Sequence, residues 1–160
     1  VVAKQILLIM KTLLSLIAFS VAACFSQAAD ILYTKHQDED SFKRISEHLT
    51  GKENPGRYTI IRSEPNQRNG YYVALKLGDT DQAEKAVSIR IQFVKPGSMK
   101  IETRSLPSGS INKKRVLIGL TDGYWVQSSR IPTAWKIDFI DTQGNTLFSS
   151  QSFLWSSESQ

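Results

Sequence analysis

Alternation of apolar and polar residues is the feature that most limits how this chain can fold. It fills the larger, C-terminal part of the sequence and is clearest at Val87, Ile89, Ile91 and Phe93, which are separated by single polar residues. Successive side chains of a strand point to opposite faces, so this period of two predicts strands buried on one side. We expect these four residues to face the core, and Arg90 between them to contribute little to stability.

Turn signals divide the alternating region into about seven strands, spaced as in sandwiches and barrels. Pro96-Gly97 predicts a hairpin, and Gln143-Gly144-Asn145 predicts a second one that returns the chain to Trp155. Strands do not alternate with long helices, so the parallel α/β folds are disfavoured. The sequence predicts an all-β fold: an antiparallel β-sandwich of about seven strands, immunoglobulin-like, preceded by one short helix.

The short helix is predicted before the strands. Phe42, Ile45 and Leu49 recur at helical spacing within residues 41–50, and Gly51 follows as a stop signal. A polar loop is predicted at residues 35–40. The predicted organisation is a signal peptide at residues 1–29, a lead-in with the helix at 30–56, the β-sandwich at 57–155 and a frayed tail at 156–160.

The N-terminal region has the order of a secretory signal. Two lysines, Lys4 and Lys11, precede an apolar run that ends near Cys24, and small residues follow at Ser26-Gln27-Ala28. Met10 is the expected true start. Cleavage after the small residues would release a chain that begins near Ala29 or Asp30, so we expect an exported protein, periplasmic or extracellular.

A second processing route stays open. Val21-Ala22-Ala23-Cys24 resembles the bacterial lipobox, in which the cysteine is lipidated and becomes the new N-terminus. Cys24 is then a lipidation site, and the lipid is the only membrane attachment that we expect. Because the chain has a single Cys, it has no internal disulfide and no metal site of the CxxC type.

Charge argues against a nucleic-acid partner. The formal net charge is +5, from 20 Lys and Arg against 15 Asp and Glu, and two of the lysines lie in the predicted leader. The rest of the chain is therefore closer to neutral than nucleic-acid-binding domains usually are. We expect a monomer without a cofactor.

Catalytic motifs are missing from the sequence. HExxH, GxSxG, GxxxxGK[ST] and GxGxxG do not occur, and His36 with the acidic residues after it is best interpreted as a solvated loop. We predict no catalytic residue and no metal ligand. The alternative is a small secreted hydrolase acting on polysaccharide through carboxylates paired in space, such as Glu102, Asp122 and Asp138, because such pairs leave no sequence spacing.

One long connection is the predicted binding site. Residues 121–133 carry Tyr124, Trp125 and Arg130, side chains suited to a glycan or an envelope protein. The same aromatic residues would also suit a plug at the open end of the sandwich. The basic run at residues 113–115 is either a contact for an anionic glycan or headgroup, or a solvated strand end that discourages edge pairing.

Several short stretches are similar to small exported bacterial proteins of uncharacterised function. They are Leu49-Thr50-Gly51-Lys52-Glu53, Ile61-Arg62-Ser63-Glu64-Pro65, Gly70-Tyr71-Tyr72, Ile118-Gly119-Leu120-Thr121 and Trp135-Lys136-Ile137. Over residues 57–155 the strand series also resembles immunoglobulin-like and fibronectin-like sandwiches, without their Cys-Trp-Cys triplet. The resemblance implies no activity. The expected function is that of an exported, non-catalytic β-sandwich module, binding or envelope-associated.

Overall fold

The computed structural model describes residues 26–157. Residues 1–25 of the predicted leader, which include Met10 and Cys24, lie outside the described residues. Within this range the chain forms nine strands and three short α-helices. The strands are β1 (Gln27–Ala28), β2 (Asp30–Gln37), β3 (Tyr58–Arg62), β4 (Gly70–Lys76), β5 (Ser88–Val94), β6 (Ile101–Pro107), β7 (Arg115–Leu120), β8 (Ala134–Ile140) and β9 (Thr146–Gln151). The helices are α1 (Ile45–Thr50), α2 (Thr80–Ala83) and α3 (Phe153–Ser157).

The strands form two sheets around one core. The five-stranded sheet has the order β1-β9-β8-β5-β6, and the four-stranded sheet has the order β2-β4-β7-β3. Buried side chains of both sheets belong to the same apolar cluster, including Val73, Val116 and Ile118 from one sheet and Ile91, Ile137 and Phe139 from the other. The predicted all-β, sandwich-like architecture is confirmed at this level.

The sheets are mixed, so the prediction of a wholly antiparallel sandwich is wrong. Strand β3 runs parallel to β7, and the two-residue β1 runs parallel to β9. A parallel pair needs a crossover connection, whereas the sequence pattern predicted hairpin-type neighbours throughout. The predicted hairpin across Pro96-Gly97 is confirmed, since β5 and β6 pair antiparallel along their whole length.

The alternating run in β5 points inward as predicted, with one exception. Ile89, Ile91 and Phe93 are buried, but Val87 is 46% exposed because it precedes the first residue of the strand at the end of the sandwich. Arg90, which was expected to contribute little to stability, forms an ion pair across the sheet. Its Nη2 donates to Oδ2 of the buried Asp138 at 2.9 Å on the outer face of the sheet.

Residues 38–57 connect opposite edges of the four-stranded sheet, because β2 and β3 are its two outermost strands. We call this segment the strap. It crosses the outer face of the sheet, where the Phe42 ring packs on Tyr72 with 4.9 Å between ring centroids. The sandwich therefore carries a second, small apolar cluster outside its main core.

The predicted amphipathic helix is shorter than expected, and its apolar residues face solvent instead of the core. Helix α1 begins at Ile45 and ends at Thr50, and Gly51 follows in the left-handed conformation with φ 67°, as its stop-signal role requires. Ile45 and Leu49 are each 83% exposed, so only Phe42, which lies before the helix, is buried. The strap is held by this one aromatic ring and by polar contacts.

The ends of the predicted sandwich also differ from the sequence-based prediction. Strand β2 continues to Gln37, where a polar loop was predicted, and β9 ends at Gln151. The chain then turns into α3, so the predicted return strand does not reach Trp155. In residues 26–157, none of the helices has the length and apolar character needed to cross a membrane.

Candidate functional site

The strap and the four-stranded sheet enclose a small pocket, which we call the strap pocket. Its volume is about 200 Å³, smaller than the ~300 Å³ at which drug-sized sites begin, so it suits one ring-sized group. The sheet contributes Tyr33, Lys35, Gln37, Tyr58, Ile60 and Leu117. The strap contributes Ser41, Phe42, Arg44, Asn54 and Pro55.

Strand alternation explains why these sheet residues meet. Tyr33 lies opposite Ala74, and Lys35 lies opposite Tyr72, on the face of the sheet that points away from the main core. Because Ala74 is small, the rings of Tyr33 and Tyr58 reach over the sheet from opposite edges. Their ring centroids lie 6.4 Å apart in an edge-to-face arrangement.

The Tyr58 hydroxyl lies in a partly dehydrated position. Burial raises the pKa of Tyr58 above its usual range, and the neighbouring Tyr33 hydroxyl raises it further, while Arg115 opposes both effects. The Tyr58 phenol therefore stays neutral at physiological pH. The two tyrosines present polar hydroxyl groups beside half-buried ring surfaces.

A buried polar cluster fixes the strap over the sheet. Arg62 binds the strap residue Glu53 through two hydrogen bonds of 2.8 and 2.6 Å, and its Nε donates to the Tyr72 hydroxyl at 2.8 Å. The Tyr72 ring lies against Gly119, where an added Cβ would come within 2.5 Å of the ring. Glycine at position 119 thus makes room for the ring that supports both Phe42 and Arg62.

Gln37 is the least satisfied polar group of the pocket. Its side chain is only 7% exposed, and its Nε2 has no hydrogen-bond partner within the part of the chain that the structure describes. Leaving a buried amide donor unpaired costs about 1–3 kcal/mol. Because Gln37 also lines the pocket, a turn of its side chain toward the pocket would let an acceptor oxygen there remove that cost.

A neighbouring cavity of about 430 Å³ is larger but already has its polar groups paired. His36, which lines it, forms a hydrogen bond of 3.0 Å between its Nε2 and the Trp125 carbonyl. Asp38 accepts from the amide and hydroxyl of Ser41, and Asn69 Oδ1 accepts from the Glu39 amide. Residues 26–157 contain no group of three or more His, Cys, Asp or Glu side chains that could hold a metal.

The predicted binding loop is partly a plug. Trp125 is fully buried and contacts Phe93 edge-to-face at 5.3 Å, so its indole is not on the surface. Tyr124 is half-buried between two cations, Lys95 at 4.6 Å and Arg130 at 4.3 Å from its ring centroid. The structure therefore brings Tyr124 and Arg130 together at the surface and removes Trp125 from it.

The three carboxylates named for a hydrolase are each paired with a cation. Asp138 lies opposite Arg90 on the outer face of the five-stranded sheet, whereas Glu102 lies opposite the inward-facing Phe93. Those two carboxylates therefore belong to opposite faces. Glu102 pairs with Lys95, whose hydrogen bond lowers the pKa of Glu102, and Asp122 lies 3.8 Å from the Arg104 Nε.

Sequence reasoning missed the strap pocket because its residues come from a segment interpreted as a lead-in. The signal that was available is the β-prone run Ile31-Leu32-Tyr33-Thr34, which forms the first part of β2. Lys113 of the basic run is a structural tie, since its Nζ donates to the carbonyls of Gly56 and Tyr58. No family model, curated protein or solved structure matches this chain.

Proposed function

We propose that this chain is an exported, non-catalytic β-sandwich module that binds a glycan or another envelope component in the strap pocket. The observation that carries the proposal is Gln37, which lines a concave surface together with Tyr33 and Tyr58 and whose buried Nε2 has no hydrogen-bond partner among residues 26–157. Aromatic faces beside fixed hydrogen-bonding groups are the usual means of holding a sugar ring. Tyr124 and Arg130 remain a second candidate contact of the same module.

Export supports an envelope ligand. The order of lysines, apolar run and small residues before residue 29 is that of a secretory signal. We propose a monomer that is soluble if cleavage follows the small residues, or lipid-anchored if Cys24 becomes the N-terminus. The mass of the mature N-terminus distinguishes the two routes.

An immunoglobulin-like or fibronectin-like topology is part of the proposal. In support, β2, β4 and β7 are neighbours in one sheet, and β9, β8, β5 and β6 are neighbours in the other. This division resembles the ABE and CFG groups of such sandwiches, with β6 beside the C-like strand β5. Strand β3 would be an addition at the edge, made when the strap crosses the sheet.

The test is a titration of the purified protein with tetrasaccharides, followed by NMR chemical shifts and by calorimetry. We expect shifts at Tyr33, Gln37 and Tyr58, and Tyr33→Ala should weaken binding at least about tenfold. Tyr124→Ala is the matched control, since it removes a half-buried aromatic ring from the other candidate surface. Shifts confined to the 121–133 loop would move the site there, and release of new reducing ends would overturn the non-catalytic assignment.

A further inference from the structure

The cations of the strap pocket lack acidic partners. Lys35 and Arg44 line the pocket, and Arg115 lies beside Tyr58. No carboxylate lines the pocket, and in residues 26–157 none of the three cations forms an ion pair with one. Lys35 instead lies over the Tyr33 ring, with its Nζ 5.3 Å from the centroid.

Other cations on the same side of the molecule do form ion pairs with carboxylates. Arg62 is paired with Glu53 and Arg68 with Glu47, each through a contact of 2.6 Å. Lys43 of the strap lies between two carboxylates. Glu47 and Glu53 of the strap are therefore used to anchor it, and Lys35 and Arg44 leave a local excess of positive charge at the pocket.

Unbalanced positive charge around a concave surface attracts anions and raises their local concentration. Gln37 Nε2 adds a buried donor that has no acceptor among residues 26–157, and Tyr33 and Tyr58 add apolar ring surface. A neutral sugar would satisfy the amide and the rings but would offer no acidic group to Lys35 and Arg44. A sugar with a carboxylate or phosphate group would satisfy all of them.

We propose that the strap pocket selects an anionic saccharide, an inference that rests on the proposed binding function. The acidic group of the sugar binds between Lys35 and Arg44, which supply the charge and the forked donor geometry that suits carboxylate and phosphate. A ring or hydroxyl oxygen accepts a hydrogen bond from Gln37 Nε2. The sugar ring itself packs against Tyr33 and Tyr58.

The experiment compares two probes with the same sugar backbone: tetragalacturonate, which is charged, and its fully methyl-esterified form, which is neutral and carries one added methyl group per sugar. Calorimetry on the purified protein at low salt should show tighter binding of the acid form by about tenfold or more, and this preference should shrink as salt is raised. An exposed ion pair contributes up to about fivefold in affinity, so Lys35→Gln and Arg44→Gln should each weaken acid binding by that order. Neither change should affect the ester.

Two further variants control for effects that do not depend on charge recognition in the pocket. Lys85→Gln removes an exposed lysine elsewhere on the surface and should leave both affinities unchanged. Gln37→Leu keeps the side-chain size and should weaken both probes alike, since the amide contacts the sugar and not its charge. Circular dichroism confirms that each variant is folded.

The outcomes separate the two proposals. Equal affinity for acid and ester, lost in Tyr33→Ala, would overturn charge selection and retain a neutral glycan site. Charge selection would also be overturned if Lys35→Gln and Arg44→Gln left the affinity for the acid form unchanged. The same holds if inorganic phosphate and anionic lipid vesicles bound as tightly as the acid form. Failure of both probes and of the matching phosphorylated tetrasaccharide would overturn the glycan-binding function itself.

Discussion

Trp125 was predicted either to contact a ligand or to plug the open end of the sandwich, and its burial favours the plug. Its indole is fully buried between the rings of Phe93 and Tyr124, with edge-to-face contacts to both. Its Nε1 has no hydrogen-bond partner in residues 26–157, so the indole is held by packing alone. Loss of the indole would leave a cavity at the end of the core that the surrounding rings cannot fill.

We therefore expect Trp125→Ala to lower the free energy of unfolding by about 3–5 kcal/mol in a denaturant titration. Ile131→Ala in the same loop is the control, since Ile131 is 49% exposed and its truncation should cost about 0.5 kcal/mol or less. In a background where the other tryptophans are replaced by Phe, iodide should not quench Trp125. A small stability loss together with a quenchable indole would show that Trp125 is exposed and belongs to the binding surface.

At the scale of elements, two ion pairs tie the strap to the rest of the fold: Glu53 with Arg62, and Glu47 with Arg68. The hydrogen bonds from Arg62 lower the pKa of Glu53 below its usual range, although burial opposes the shift. Because the folded-state pKa lies below the unfolded one, the pair stabilises the strap fully above the usual Glu pKa. That contribution is lost as the pH falls through the lowered value.

Acid should thus loosen the strap before it unfolds the sandwich. We expect hydrogen-exchange protection of strap amides, such as the Gly51 amide that donates to the Glu47 carbonyl, to fall between about pH 5 and 3 while β5 stays protected. Glu53→Gln should show weak strap protection at neutral pH and a flatter dependence on pH. Equal loss in the strap and in β5 would mean that the two elements open as one unit.

Strands were easier to predict than the strap for a physical reason. Burial on one face gives a period of two, and the run Ile89, Ile91, Phe93 carries that pattern in the sequence itself. The strap has no comparable pattern, because Ile45 and Leu49 keep helical spacing while facing solvent. Its position follows from contacts of Phe42 with β4 and of Glu53 with β3, two strands whose places in one sheet the sequence does not show.

The same argument applies to the candidate site. Tyr33 and Tyr58 contact each other because β2 and β3 belong to the same sheet, as its two edge strands. Local sequence does not show that these two strands share a sheet. The lack of an acceptor for Gln37 within residues 26–157 is likewise a property of packing. Tyr124 and Arg130 could be found from the sequence because they lie close together in one long loop.

For the whole molecule, the predicted leader exit is part of the fold. Gln27 and Ala28 pair with Phe148 and Ser149, and the amide of Ala29, which is 6% exposed, donates to the Ser149 carbonyl at 3.0 Å. Cleavage before Ala29 would remove β1, and cleavage before Cys24 would retain it. We therefore expect the products of the two proposed processing routes to differ in stability.

We expect a chain that begins at Asp30 to melt several degrees below one that begins at Ser26, since each buried group lost at the sheet edge contributes about 1 kcal/mol. Differential scanning calorimetry of the two chains measures this directly. A control chain with Gln27→Ala keeps the backbone pairing and should stay close to the longer chain. Identical melting of all three would show that β1 adds nothing.

The pairing of β1 with β9 also sets an order of events. Residue 27 finds its partner only at residue 148, and β3 finds β7 only after the intervening strands exist. Contacts between such distant residues carry a loop-closure cost and form late. While the chain is being made, residues 27–28 have no strand to join until residue 149 has been synthesised, so this segment stays accessible to other partners throughout that time.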